Sequence, residues 1–548
     1  MPTYSRRQAL QLLGAGSLLW QTRSFAKAAT PTTIPVLSGQ VIDLVIEQRW
    51  LDLNGKPILA TLANGNYPAP TLRLREGDTV TIRVHNKMNV PTAIHWHGLL
   101  VPYQMDGVPQ ISFAGIAAGE TFEYRFTLQQ HGTYWYHAHA GFQEQTGLIG
   151  ALIIDPKDTP QLTLPEHTLL FSDWTSTEPE LLLRRLKIHS EFDQRQQTTL
   201  MQLLQDAERM GIKSALTKRQ MWNQMRMSPT DFSDLSASFD YGVNGLISGE
   251  HRPNWWGWIE PHKPILLRLI NGSAQTIFDL RIPELRMQVV AADGLAVEPV
   301  TVDELRMGAG ETYDVIITPQ DEAYNVFAQT IDRRGFTVAS LSVRPDIHAP
   351  IPAIDPPHWL DMADMMGSMQ PPAQPVRHAH TEYGSSVDMR VDTPRSNLDD
   401  AGVHLRHHQR LYGRRVLTYA DLHTLDADDQ REPSRELELH LTGNMHRYQW
   451  GFDGLSFEQS KPIQVRTGER VRVRLVNDTM MLHPMHLHGM WSDIQRPKGG
   501  LQVRKHTILI QPAQEISFDF TGIQGRWAWH CHFLYHMHAG MMREVEVI

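Results

Sequence analysis

At 548 residues, 41% of them hydrophobic and 8% aromatic, the chain is too long for one hydrophobic core and too rich in core material for general disorder, since single cores stop growing at roughly 250–300 residues. Its formal charge of −9 excludes a general nucleic-acid binder, because neutralising phosphates needs clustered Lys and Arg. The unusual counts are 28 histidines and 23 methionines against a single cysteine, a supply of nitrogen and thioether ligands for soft or borderline metals.

Residues 1–28 read as a cleavable leader. Arg6 and Arg7 precede a short apolar run, and Ala26-Lys27-Ala28 has the small-x-small form of a signal-peptidase site. The paired arginines resemble a twin-arginine export signal, so the expected location is the periplasm. Beyond this leader no apolar stretch approaches the roughly 20 residues of a membrane span, and no integral span is expected in the mature chain. Export to an oxidising compartment normally favours paired cysteines, yet Cys531 has no partner in its own chain. It is a passive buried residue, a liability, or a thiolate ligand shielded from oxidants.

Residues 38–157 alternate apolar and polar positions in segments such as "TLRLREGDTVTIRVHN" and "ETFEYRFTL", with Gly, Asn and Pro between them. Period-two patterning at close spacing predicts an antiparallel sandwich or barrel. A second copy of the plan is expected over 160–345, where "PILLRLINGSAQTIFDLRI" repeats the pattern near 264–282. Within it, residues 178–227 carry apolar residues at three- and four-residue intervals with few β-branched ones, which predicts a helical insertion. Residues 346–418 are rich in Pro, His, Met, Asp and Arg, and their composition predicts a long, partly disordered connection without a packed core. Residues 420–548 repeat the first plan, with "IQVRTGERVRVRLVNDT" and "EISFDFTG" in the places of the two opening segments. The expectation is an all-β chain of three domains, each the size of one sandwich.

Four histidine clusters punctuate this plan: "HWHG" at 95–98, "HAH" at 137–139, "HPMHLHG" at 483–489 and "HCHFLYH" at 530–536. Roughly one or two His-x-His triplets are expected by chance at this histidine content, and six occur. The triplets at 378–380 and 536–538 are assigned to chance or to the composition of the connection. On a strand, residues i and i+2 project to the same face, so each pair can reach one metal or two adjacent ones. Two pairs fall in the first β-domain and two at corresponding places in the last, so each domain can donate half of a shared interfacial site. Cys531, His536 and Met541 lie in one loop, and His483 in the neighbouring cluster adds a second imidazole. A thiolate, two imidazoles and a weak thioether make the trigonal site of blue copper, which transfers one electron at a time. If His530 and His532 bind other coppers, the backbone through Cys531 is a short covalent route between metal sites.

All four clusters, in this order and spacing, resemble those of multicopper oxidases, and "IHWHGLLVPYQMDGVPQISFAGI", "GTYWYHAHAGFQEQTGLIGALIIDP" and "HPMHLHGMWSDIQ" are similar to the periplasmic copper resistance protein A group. The resemblance covers residues 38–345 and 420–548 and implies three cupredoxin-like β-sandwich domains carrying four coppers. It implies a type 1 copper on His483, Cys531, His536 and Met541, and a type 2 copper on His95 and His486. One type 3 copper falls to His97, His137 and His532, the other to His139, His488 and His530. The implied reaction is four one-electron oxidations of a donor coupled to reduction of dioxygen to two waters, with Asp106 in "YQMDGVPQ" assisting proton delivery. Asp-Gly is also a turn signal in its own right. Where many relatives carry carboxylates around the type 1 histidine, Leu534, Tyr535, Met537 and His538 stand here, and Glu144 is either a second acidic relay or a surface residue.

The expected donor is Cu(I), with phenolic compounds secondary, and the expected role is copper detoxification. Met362, Met365, Met366 and Met369, with His378 and His380, either collect Cu(I) or fill a flexible connection. The resemblance leaves room for a periplasmic or outer-membrane copper-resistance partner. The alternative is a periplasmic copper-sequestering protein with little turnover. It needs the metal-rich connection but no complete set of eight clustered imidazoles.

Overall fold

In a computed structural model of the chain, the described residues are 34–53, 55–158, 164–195, 199–225, 231–247, 253, 255–357, 364, 367–368, 374–425, 429 and 431–548. The leader expected at 1–28 and Met362, Met365, Met366 and Met369 lie outside them. Among the described residues the strands form six sheets, which pair into three successive β-sandwiches, and no helix is long and apolar enough to cross a membrane.

The period-two segments become strands of the sandwiches. In Thr79–Asn86 the apolar Val80, Ile82 and Val84 are buried while the residues between them face outward, which is how alternation buries one face of a strand. The three copies share pairing as well as pattern. Thr79–Asn86 runs parallel to Val41–Leu53 and antiparallel to Thr121–Thr127. Ile265–Asn271 runs parallel to Glu166–Trp174 and antiparallel to Thr312–Ile317. Arg470–Asn477 runs parallel to Arg435–Asn444 and antiparallel to Glu515–Thr521.

The repeat extends to single atoms. Each of these strands ends in a buried asparagine whose Nδ2 donates to a backbone carbonyl 3.0 Å away: Asn86 to Ile116, Asn271 to Met307 and Asn477 to Gln511. Buried backbone carbonyls need such partners once water is excluded.

Three helices, Pro179–Ile188, Leu200–Met210 and Ile212–Met225, occupy the stretch with helical periodicity. Proline opens the first, where its missing N–H costs nothing, and Leu182 and Leu186 anchor it in the core. Residues 346–418 differ from the expectation drawn from their composition. Among those described, Val387, Val391, Leu398, Val403, Leu405 and Leu417 are buried, and Leu398, Val403 and Leu417 join the core shared by the second and third sandwiches. These apolar residues follow no period, because an irregular strap is held by side-chain pairs such as Arg414 with Asp355 at 2.9 Å and Arg406 with Asp400 at 2.7 Å. Periodicity reads only regular elements.

Candidate metal centre

Strand register brings the histidine pairs together. Ile94–His97 pairs antiparallel with Gly132–Ala138, placing His95 opposite His137. His483–Leu487 pairs antiparallel with Gly525–Cys531, placing His486 opposite His530. In each pair of strands the next histidine lies two residues on and so shares the face. The same alternation turns Cys531 to the opposite side of its strand from His530 and His532. The turn after Asp106 fits only glycine, since a Cβ on Gly107, at φ +88°, would lie 1.7 Å from the carbonyl oxygen of Ile94.

Eight histidines converge where the first and third sandwiches meet. The ligand atoms of His97, His137 and His532 lie within 4.8 Å of one another, and so do those of His139, His488 and His530. His95 Nε2 stands 3.4 Å from His486 Nε2, and His488 Nε2 stands 3.0 Å from His530 Nε2.

The hydrogen bonds on the far side of each ring decide which nitrogen is free. A carbonyl only accepts, so the proton of His95 sits on Nδ1, donated to the Asp106 carbonyl at 2.7 Å, and that of His486 on Nδ1, donated to the His506 carbonyl at 2.7 Å. His530 donates from Nδ1 to the Cys531 carbonyl at 2.9 Å, and His488 from Nδ1 to Asp106 Oδ2 at 2.9 Å. Each ring therefore turns an unprotonated Nε2 inward, the form a metal needs. His97 and His532 have neither ring nitrogen hydrogen-bonded, and Nε2 of His137 and His139 is likewise buried without a partner. Buried nitrogens are rarely left so; a set of them aimed at one point fits a cluster of metal ions.

The second constellation lies on the other side of the Cys531 strand. Cys531 Sγ is 3.5 Å from His483 Nδ1 and 3.8 Å from His536 Nδ1, and the two nitrogens are 3.2 Å apart. A trigonal thiolate–imidazole site with ordinary bond lengths has edges of roughly 3.5–3.8 Å, so the triangle fits one ion. Asp234, from the second sandwich, accepts from His536 Nε2 at 2.7 Å and leaves Nδ1 free. Trp450 stacks on the His536 ring with centroids 4.1 Å apart. Met541 is fully buried, and its backbone closes the loop: its carbonyl accepts from Cys531 N–H and its N–H donates to the His536 carbonyl. Burial pushes the Cys531 thiol up, away from the thiolate, and a bound cation reverses that preference.

Asp106 serves as turn and as site residue together. It caps the 3-10 turn Tyr103–Met105, is 1% exposed, and turns its Oδ1, which has no hydrogen-bond partner, toward His95 Nδ1 at 3.4 Å. Glu144 is not on the surface. It is buried with Oε2 2.7 Å from His137 Nδ1, and burial holds its carboxyl well above the usual range. Of the two histidine triplets assigned to chance, His536 enters the sulfur site, while His538 donates to the Gly141 carbonyl at 3.0 Å.

Burial also lowers His530 and His506 to about 4. Both are neutral in the folded chain, whereas an unfolded histidine titrates near 6.5. Between those values the unfolded chain binds more protons, so folded stability is complete above pH 6.5 and falls as pH drops toward 4. For the copper-free protein the expected loss is about 1.4 kcal/mol per pH unit for each of the two histidines over that interval, measured as the shift of the urea midpoint with pH.

Three participants carry no local sequence signal. Asp234 is one. His506 is a second: its ring centroid lies 4.8 Å from that of His97, and its backbone carbonyl orients His486. The third is Gly310, where a Cβ would lie 3.0 Å from both His532 and His97. Each reaches the site from a segment distant in the chain, and a lone Asp, His or Gly has no spacing to read.

Residues 46–159, 166–344 and 430–548 each match a family described as multicopper oxidase. The chain is 43% identical to the copper resistance protein A homolog of Pseudomonas syringae pv. tomato, a match spanning 100% of both chains. It is 41% identical to copper resistance protein A of Escherichia coli, over 97% of this chain and 96% of that one. Among solved structures it is similar to Fet3p, a multicopper oxidase that functions in iron import, with a TM-score of 0.66 at 17% identity over 93% of this chain and 90% of that one.

Proposed function

The chain belongs to the multicopper oxidase family, and on that premise we propose that it oxidises Cu(I) in the periplasm, with phenolic compounds as secondary donors and dioxygen as acceptor. Copper is its cofactor and copper resistance its role. The proposed type 1 residues are His483, Cys531, His536 and Met541; the proposed type 2 residues are His95 and His486. His97, His137 and His532 form one proposed type 3 set, and His139, His488 and His530 the other. When bound, copper would supply one-electron redox chemistry, by which four electrons from the donor and four protons reduce one dioxygen to two waters.

The observation that carries this reading is the triangle of Cys531 Sγ, His483 Nδ1 and His536 Nδ1, joined through two peptide bonds to His530 and His532 in the eight-histidine cluster. Cys531 sits on one face of its strand and its two neighbours on the other, so the chain itself spans the two sites. The buried walls exclude water from both: His483 and His488 are fully buried, and Trp135 stacks on His137 with centroids 4.4 Å apart. Asp106 orients His488 and Glu144 orients His137, and they are the carboxylates placed to hand protons inward. The leader at 1–28 supports the periplasmic location. The methionines at 362–369 are left without a role.

Oxygen-electrode measurements on the copper-loaded protein test the reading. Cuprous ion is expected to drive oxygen uptake faster than a phenol, with about one dioxygen consumed per four electrons donated and uptake abolished after copper is stripped by a chelator. A protein that binds its coppers yet consumes no oxygen with any donor is a sequestering protein, and the proposal fails.

A further inference from the structure

A third cluster of metal-ligand side chains, none of them among the proposed copper ligands, lies where the connection at 374–425 packs on the third sandwich. His378 Nδ1 is 2.7 Å from Glu382 Oε2 and 3.4 Å from Asp478 Oδ2. His440 Nδ1 is 2.7 Å from the same Asp478 Oδ2 and 3.6 Å from the same Glu382 Oε2. Two imidazoles and two carboxylates thus each turn one atom toward a common point, and all four side chains are 5% exposed or less.

The far atoms of Glu382, Asp478 and His440 are hydrogen-bonded, while His378 Nε2 is buried without a hydrogen-bond partner. Glu382 Oε1 accepts from Ala379 N–H at 2.8 Å and Asp478 Oδ1 from Val391 N–H at 2.9 Å. His440 Nε2 lies 3.2 Å from Glu438 Oε1, and His378 Nε2 lies 3.5 Å from Asp392 Oδ1. A carboxylate behind the far nitrogen of a histidine is the arrangement that orients metal-binding imidazoles.

We propose that His378, His440, Glu382 and Asp478 form a fifth metal site, an N2O2 site for a divalent transition cation, separate from the four coppers of the oxidase. A tetrahedral ion with bonds near 2.0–2.2 Å sets its ligands about 3.3–3.6 Å apart. Two of the four measured separations already have that length, and the two at 2.7 Å are hydrogen bonds that lengthen by about 0.6–0.9 Å when a cation replaces the shared proton. Nitrogen and carboxylate donors favour Cu(II) and Zn(II) over the softer Cu(I), with Cu(II) the tighter of the two divalent ions.

The place gives the site a connection to the sulfur centre. Asp478 precedes Thr479, whose Oγ1 is 2.7 Å from His483 Nε2. One residue separates the proposed cation from a group that orients the imidazole beside Cys531. The site also fastens the strap carrying His378 and Glu382 to the strand carrying His440.

The test uses the full-length protein with its coppers loaded. After exposure to zinc chloride and desalting, metal analysis is expected to find one zinc per chain beyond the coppers, and diffraction at the zinc edge to place it among the four ligand atoms. In H378Q and in H440Q retained zinc is expected to fall at least tenfold while the blue thiolate absorbance persists. No added zinc in the wild-type protein, zinc located elsewhere, or zinc retained in both variants would overturn the proposal and leave the cluster a network of ion pairs only. The wild-type measurements decide the matter even if a variant misfolds. Zinc uptake is independent of oxygen consumption, so failure of the oxidase reading leaves this result standing.

Discussion

Cys531→Ser is expected to erase the blue absorbance and to cut donor-driven oxygen uptake by at least about a thousandfold, equivalent to about 4 kcal/mol on the barrier. The sulfur is the soft member of the triangle with His483 Nδ1 and His536 Nδ1. A serine hydroxyl stays protonated near neutral pH and provides neither the thiolate bond nor the route along the backbone to His530 and His532. Substituting a buried residue by one of similar size limits the damage to the fold, so thermal unfolding of the copper-free variant should stay close to wild type. Copper analysis should show the loss of one ion per chain with the others retained. A variant that keeps both colour and turnover would remove Cys531 from the electron path altogether.

Asp106→Asn is expected to retain all coppers and the blue colour while oxygen uptake falls about a hundredfold or more, the range that positioned acid–base groups contribute. Asparagine keeps the turn and can still accept from His488 Nδ1 through its carbonyl oxygen, so the orientation of that ring survives. What it lacks is a carboxylate able to carry a proton at the buried Oδ1 position, which has no hydrogen-bond partner. With oxygen reduction slowed and donor oxidation intact, electrons accumulate and the blue band should bleach during turnover. A purely structural role for Asp106 predicts the opposite pattern, with copper lost and the band of the remaining protein unbleached. Asp106→Glu, which restores the acid, should recover part of the rate.

These two residues also mark where the sequence alone points to a position that the structure places among clustered ligand side chains. Cys531 is unique in composition and flanked by histidines, and Asp106 stands in a segment similar to the family, so both were legible without coordinates. Glu144 was only half legible: "GFQEQTG" resembles a surface turn, and it is tertiary packing that buries the carboxyl 2.7 Å from His137 Nδ1. Asp234, His506 and Gly310 were not legible at all. Each is a single residue contributed by a distant segment, and its role depends on a contact across a domain boundary. Likewise the connection at 346–418 had the composition of a loose strap, but its irregular apolar residues join the core of two sandwiches, and Asp355 pairs with Arg281 and His408 with Glu304 of the second one.

Local chemistry along the chain was enough to determine which residues are strands, which histidines share a face, and which sulfur is available, because alternation and ligand type are properties of neighbours. Tertiary structure alone decided that His95 meets His486, that Asp234 holds His536, and that His378 meets His440, because those distances are set by how separate sandwiches and their connection close on one another. Contacts between residues hundreds of positions apart leave no periodic trace in a single sequence.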